Sequence, residues 1–220
     1  MRNPRVEQYS TTDTRRAEGF ADAVFAITIT LLVLELRPPE VPPGQLLAGL
    51  LHQWPSYLAY VTSYLYIAVI WLNHKHAFLR IRSMNRGLHW ANLGILFTTA
   101  LLPFATGVLS KAVREGDPAD ERTAVALYSL VGAFLCGTWV VFFRYLGHHP
   151  TLLDEGVPAE FFIQETTRAW LGVILYAAAG AFGYLVAPVI ALVLFLAVPT
   201  FYAITSHGLY ELGIVLRRRR

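Results

Sequence analysis

The sequence predicts an all-α, polytopic membrane protein with six transmembrane helices, and three observations carry that reading. Hydrophobic residues make up 55% of the 220 positions and charged residues only 15%, against about 25% charged in an ordinary soluble domain. The apolar residues gather into six stretches close to the ~20 residues a helix needs to cross the hydrocarbon core. The Lys and Arg residues crowd onto one side of those stretches. With a mean hydropathy of +0.46, the chain is a poor fit to disorder or to a nucleic-acid reader. Its single cysteine, Cys136, excludes an internal disulfide framework and a Cys-based zinc site.

A polar arm, residues 1–14, opens the chain and reads as mobile and cytoplasmic. The first span then runs from about Phe20 to Leu36 and the second from about Leu46 to Leu72. The third covers Leu88 to Leu109, the fourth Ala124 to Phe143, the fifth Ala169 to Val186, and the sixth Val189 to Tyr210. Val186-Ala187-Pro188 reads as a tight hairpin, and Pro199 as a kink inside the last span. Residues 15–210 thus form one membrane domain, followed by a basic tail, residues 211–220. The spans are too long for barrel strands and lack period-2 alternation. The first is not a cleaved signal, because it follows a polar arm and carries Glu18 and Asp22 near its start.

Orientation follows from the basic residues. With six spans, both termini and the second-to-third and fourth-to-fifth loops share a side, which holds 14 of the 18 Lys and Arg residues. Only Arg37, Lys111, Arg114 and Arg122 lie opposite. Both termini are therefore expected in the cytoplasm, with the protein in the cell membrane. Arg217 to Arg220 reads as a topology anchor and a patch for anionic lipid headgroups rather than for nucleic acid.

The first span holds the most specific pattern. With Ile27 set at zero and ~100° per residue, Leu31 lies at about +40°, Leu34 at about −20° and Thr30 at about −60°. Glu18 and Asp22 fall near the opposite side, with Phe25 and Ile29. A carboxylate within a span is expensive and faces protein or water, so Asp22 should look into the subunit and the Ile27 face elsewhere. Asp22 serves either as a structural hydrogen-bond anchor or as a proton-relay or ion site. Periodicity alone makes the Ile27–Leu31–Leu34 face a packing seam before a pore lining. At the end of the second span, Trp71, Asn73 and His74 offer an indole N–H, an amide and an imidazole, suitable partners for a buried carboxylate.

Arg16-x-x-x-Phe20-Ala21-Asp22, followed by Ala-Val-Phe-Ala-Ile-Thr-Ile-Thr-Leu-Leu-Val-Leu-Glu, resembles the opening of the bacterial lysosomal-type potassium channels, the transmembrane protein 175 family. Trp71-x-Asn73-His74 resembles the polar group on that family's second helix. The resemblance implies a homotetramer whose first helices line a central pore permeable to K+. It implies a hydrophobic constriction at Ile27, Leu31 and Leu34, and a layer at Thr30 associated with potassium preference. It also implies that Arg16, Phe20 and Asp22 hold the pore helix through Trp71, Asn73 and His74. Ala21 departs from the family's Ser, so one hydroxyl is missing. No Thr-Val-Gly-Tyr-Gly-like loop occurs, so a carbonyl filter is not expected.

The competing reading is a proton-coupled or other secondary ion transporter using Asp22, Glu18 or His74, although no internal repeat or pair of broken helices supports it. Ser63, Ser129 and His52 form no nucleophile–base pattern, so no enzyme is expected. Neither a cofactor nor a metal is expected; the partners are further copies of the chain, membrane lipids and potassium ions.

Overall fold

The computed structural model describes residues 14–205. The arm, the basic tail and the expected end of the sixth span at Tyr210 lie outside the described residues, apart from Thr14. Helix α1, Thr14–Leu31, tightens into a 3₁₀ turn over Leu32–Glu35, shortly before Pro38-Pro39. A short helix α2, Leu46–His52, precedes α3, Trp54–Phe78. Next come α4, Arg86–Ala100, α5, Leu102–Glu115, and α6, Pro118–Gly147. Helices α7, Ala159–Leu185, and α8, Pro188–Thr205, complete the described chain. Among the described residues five helical segments are long and apolar enough to cross a membrane, with Pro188–Thr200 a shorter apolar helix.

Four expected boundaries shift, each for a local reason. The second span is not continuous from Leu46, because Pro55 cannot donate to the turn before it and its ring opposes the carbonyl of Leu51. The chain bends at Gln53, whose Nε2 donates to Arg37 O at 2.9 Å and ties the bend to the end of the first span. The third span is likewise two helices, broken at Leu101, with Pro103 in the first turn of α5. The fourth extends at both ends to the 30 residues of α6. Asp117 caps its start by accepting from the amides of Ala119 and Asp120. Finally, α7 begins at Ala159, ten residues before the apolar run. Arg168 is therefore inside a helix rather than in a loop, and its Nη1 meets Glu165 Oε1 at 2.8 Å. Paired in this way, the guanidinium brings little net charge into the bundle.

Small residues let α6, α7 and α8 approach closely. Gly132 of α6 receives the ring of Tyr176, and Gly172 of α7 receives Tyr202 and Cys136. A methyl added at Gly183 would stand 2.5 Å from Val125 Cγ1 and 2.6 Å from Ala191 Cβ. In lipid, where helix association depends on van der Waals fit, such positions set the interhelical distance. Gly183→Ala should force α7 away from its neighbours and cost about 1–3 kcal/mol, seen as a lower unfolding temperature in detergent.

The two loops expected to share a side do meet. Ile81 and Leu153 form an isolated antiparallel bridge. Leu152 O accepts from Arg82 N at 2.8 Å, and Arg80 O accepts from Asp154 N at 3.0 Å. Asn85 caps α4 through Leu88 N and also accepts from Tyr145 Oη at 3.0 Å.

A hydrophobic helix face and the polar groups behind it

Helix α1 buries one side and leaves the other open. Ala17, Ala21, Phe25, Thr28 and Leu32 are buried against the subunit. Ile27, Leu31 and Leu34 are exposed in the single chain, at 58%, 43% and 66%, and Thr30 is exposed beside them. The 3₁₀ turn changes the wheel position expected for Leu34. At ~120° per residue, the last three steps return Leu34 to the direction of Leu31, about +40° from Ile27 rather than about −20°. The rise from Ile27 to Leu34 becomes about 12 Å rather than about 10 Å.

The two threonines differ in what they present. Thr28 Oγ1 donates to Val24 O at 2.8 Å and is buried. Thr30 Oγ1 donates to Ile27 O at 2.8 Å on the exposed face. With its proton committed to the backbone, the Thr30 oxygen turns its lone pairs outward.

Two side-chain hydrogen bonds link α1, α3 and α4; the first is an expected pairing, although Asp22 is exposed rather than turned into the subunit, and the second is not expected. Trp71 Nε1 donates to Asp22 Oδ1 at 2.8 Å and ties α3 to α1. His74 does not bond Asp22; its Nε2 meets Asn92 Oδ1 of α4 at 2.8 Å. His74 is buried between aromatic rings, stacked on Phe78 at 4.2 Å and edge-on to Phe25 at 5.2 Å. Asn73 is turned by one helical step and lines a small cavity with Glu165 and Arg168 instead. The connection from α1 through α3 to α4 thus uses Trp71 directly and His74 through the Phe25 ring. Asn92 is the member that sequence reasoning missed. An amide in the middle of an apolar span was the available signal.

Arg16 and Phe20 also depart from expectation. At ~100° per residue they lie at about −20° and +20° from Ile27, on its own face. Phe20 is 55% exposed and Arg16 is exposed. Neither reaches Trp71, Asn73 or His74 by any described hydrogen bond. Ala21 is fully buried, so the position of the missing hydroxyl is a packed methyl.

Residues 16–103, which carry every residue of the exposed face and of the polar groups behind it, match the protein family described as endosomal/lysosomal potassium channel TMEM175. A potassium channel of Streptomyces collinus is 36% identical over 177 residues, covering 80% of this chain and 85% of that protein. A potassium channel of Chamaesiphon minutus is 36% identical over 149 residues, 66% of this chain and 70% of the relative. The human endosomal/lysosomal proton channel TMEM175 is 31% identical over 137 residues, 56% of this chain but 27% of the human protein. In three dimensions, the crystal structure of a lysosomal potassium-selective channel TMEM175 homolog from Chamaesiphon minutus superposes with a TM-score of 0.77 at 27% identity, covering 88% of this chain and 98% of that one. Sequence identity across most of both chains, a common fold and the match over α1 to α4 lead to one conclusion: this multi-pass membrane protein belongs to the TMEM175 family, a family of channels and not of enzymes.

Proposed function

We propose that the chain is a potassium-permeable cation channel. Four copies surround an axis, and α1 of each turns the Ile27–Leu31–Leu34 face towards it. The observation that supports this most directly is the division of α1. In a helix apolar enough to span the membrane, one face packs tightly through Ala21, Phe25, Thr28 and Leu32 while the opposite face is left open. The open face carries a hydroxyl, Thr30, that a lipid-facing surface has no need for.

In this reading the pore needs no carbonyl filter. Ile27 forms the narrowest ring, and Leu31 and Leu34 add apolar rings in line above it. A constriction of this kind passes or stops ions through its width and wetting. Over about 12 Å a dehydrated ion has no charged partner, so closing the rings stops conduction without a charged gate. The outward oxygen of Thr30 supplies one polar layer and replaces part of an ion's hydration. Potassium loses its water more cheaply than sodium, so such a layer favours potassium modestly. Both termini are cytoplasmic and the protein resides in the cell membrane, as the basic residues indicate.

Electrical recording of the purified protein in a planar bilayer under a potassium gradient tests the reading. Current that follows the potassium gradient supports it, whereas flux that requires an opposing proton or sodium gradient supports a transporter instead. Thr30→Ala should shift the reversal potential in mixed potassium and sodium solutions towards non-selectivity, with a smaller effect on conductance. Cross-linking or mass measurement of the detergent-solubilised protein should give four subunits; a conducting monomer would refute the arrangement around an axis.

A further inference from the structure

We propose that the cleft between the ends of α6 and α7 on the side of the 79–85 loop binds the headgroup of an anionic phospholipid, with Arg144 as its principal cation. The cleft holds about 410 Å³ and is lined by Phe143, Arg144 and Gly147 of α6, by His148 just past its end, and by Phe162, Ile163, Thr166 and Thr167 of α7. Its position suits a headgroup. Helix α6 has 30 residues, about 45 Å, which matches a bilayer including its polar layers at about 40–45 Å. Arg144 stands three residues before its end and so reaches headgroup depth.

The charge is available. No carboxylate lines the cleft. Glu165, the acid nearest in sequence on α7, is held by Arg168 at 2.8 Å. Arg144 and His148 are one turn apart and share a helix face. His148 Nδ1 donates to Arg144 O at 2.6 Å, which fixes the ring and leaves Nε2 as the nitrogen directed away from the backbone. Thr167 Oγ1 is spent on Ile163 O at 2.7 Å, whereas the Thr166 hydroxyl has no described partner. A guanidinium and a hydroxyl around one opening suit a phosphodiester.

The floor distinguishes a lipid from a free phosphate. Phe162 is buried in the wall of the cleft, and the exposed Ile163 continues down the outer side of α7 towards the hydrocarbon. An acyl chain attached to the phosphate would lie along that apolar edge, and basic pockets between helices at this depth are suited to such lipids.

The test uses the full-length protein in a non-ionic detergent, with unfolding temperature followed as dioctanoyl phosphatidylglycerol, dioctanoyl phosphatidylcholine or inorganic phosphate is titrated in. Phosphatidylglycerol should raise the unfolding temperature saturably and the other two far less. Arg144→Gln should weaken its apparent affinity about tenfold, the scale of one charge-assisted hydrogen bond, and Arg144→Lys should retain most of it. Arg122→Gln, exposed at the opposite end of α6, should leave it unchanged. Thr166→Val should weaken binding about twofold or more by removing a neutral donor, and this carries the proposal if Arg144→Gln does not fold. Unaltered affinity in Arg144→Gln, or an equal loss in Arg122→Gln, would overturn the site. Equal binding of phosphatidylcholine would overturn the role of charge, and equal binding of inorganic phosphate would overturn the lipid.

Discussion

Ile27→Asn should raise single-channel conductance and reduce discrimination between potassium and sodium. Ile27 projects from the open face of α1 at the level where the proposed pore is narrowest, with Leu31 and Leu34 above it. In the proposed constriction an isoleucine ring offers nothing in place of lost water, so ions enter at a cost. An amide restores a donor and an acceptor at each subunit, so the constriction wets and the cost of entry falls. Each 1.4 kcal/mol removed from that barrier is about a tenfold gain in rate, so even partial rehydration should be visible in unitary current. Sodium, the more strongly hydrated ion, gains most, and the reversal potential in mixed solutions should move towards zero. Unchanged conductance and selectivity would mean that another surface lines the pore and that Ile27 belongs to a packing seam.

The second large effect is expected at Asn92. Its Oδ1 meets the ring of His74 at 2.8 Å, and both residues are buried. Asn92→Ala leaves the imidazole N–H inside the bundle without an acceptor, at a cost of about 1–3 kcal/mol. The loss should exceed that of Asp22→Ala, because the Asp22–Trp71 bond is exposed in the subunit and water competes for both groups. Unfolding in detergent, with His74→Phe combined to close a double-mutant cycle, separates the hydrogen bond from simple packing. If Asn92→Ala costs no more than Asp22→Ala, the hold on α1 lies with Trp71 rather than with the His74 layer.

Five of the six expected spans were legible because a bilayer leaves few alternatives: a long apolar run must be a helix. The two faces of α1 followed from its period, which separates Ile27 from Phe25 without any knowledge of neighbours. What hydropathy could not read was where helices break or extend. Pro55 and Pro103 interrupt apolar runs without changing their hydropathy, and the polar first turns of α7 are helical despite containing Glu160, Gln164 and Glu165. The 3₁₀ turn at Leu32–Glu35 escaped because a wheel assumes one pitch throughout. The pairing of His74 with Asn92 rather than Asp22 depends on how α4 is rolled against α3, which is a tertiary choice. Arg16 and Phe20 could have been placed on the Ile27 face from the period alone; the family resemblance drew them towards the polar group instead.

The meeting of the 79–85 and 150–154 loops has a consequence for how the chain is built. Tyr145 follows its partner Asn85 by 60 positions, and the intervening chain runs away and returns through α4, α5 and α6. During synthesis the amides of Arg82 and Asp154 find their carbonyl partners only after that excursion is complete. A ribosome-bound chain that has inserted only the family-matching helices would therefore expose an unlatched turn after α3, with Ile81 and Met84 uncovered. The family-matching part of the chain is in this sense not a self-sufficient folding unit: the late-arriving α6–α7 hairpin closes it. Nascent chains arrested before Tyr145 should be cleaved by protease in the 79–85 turn, and chains extended past Asp154 should resist.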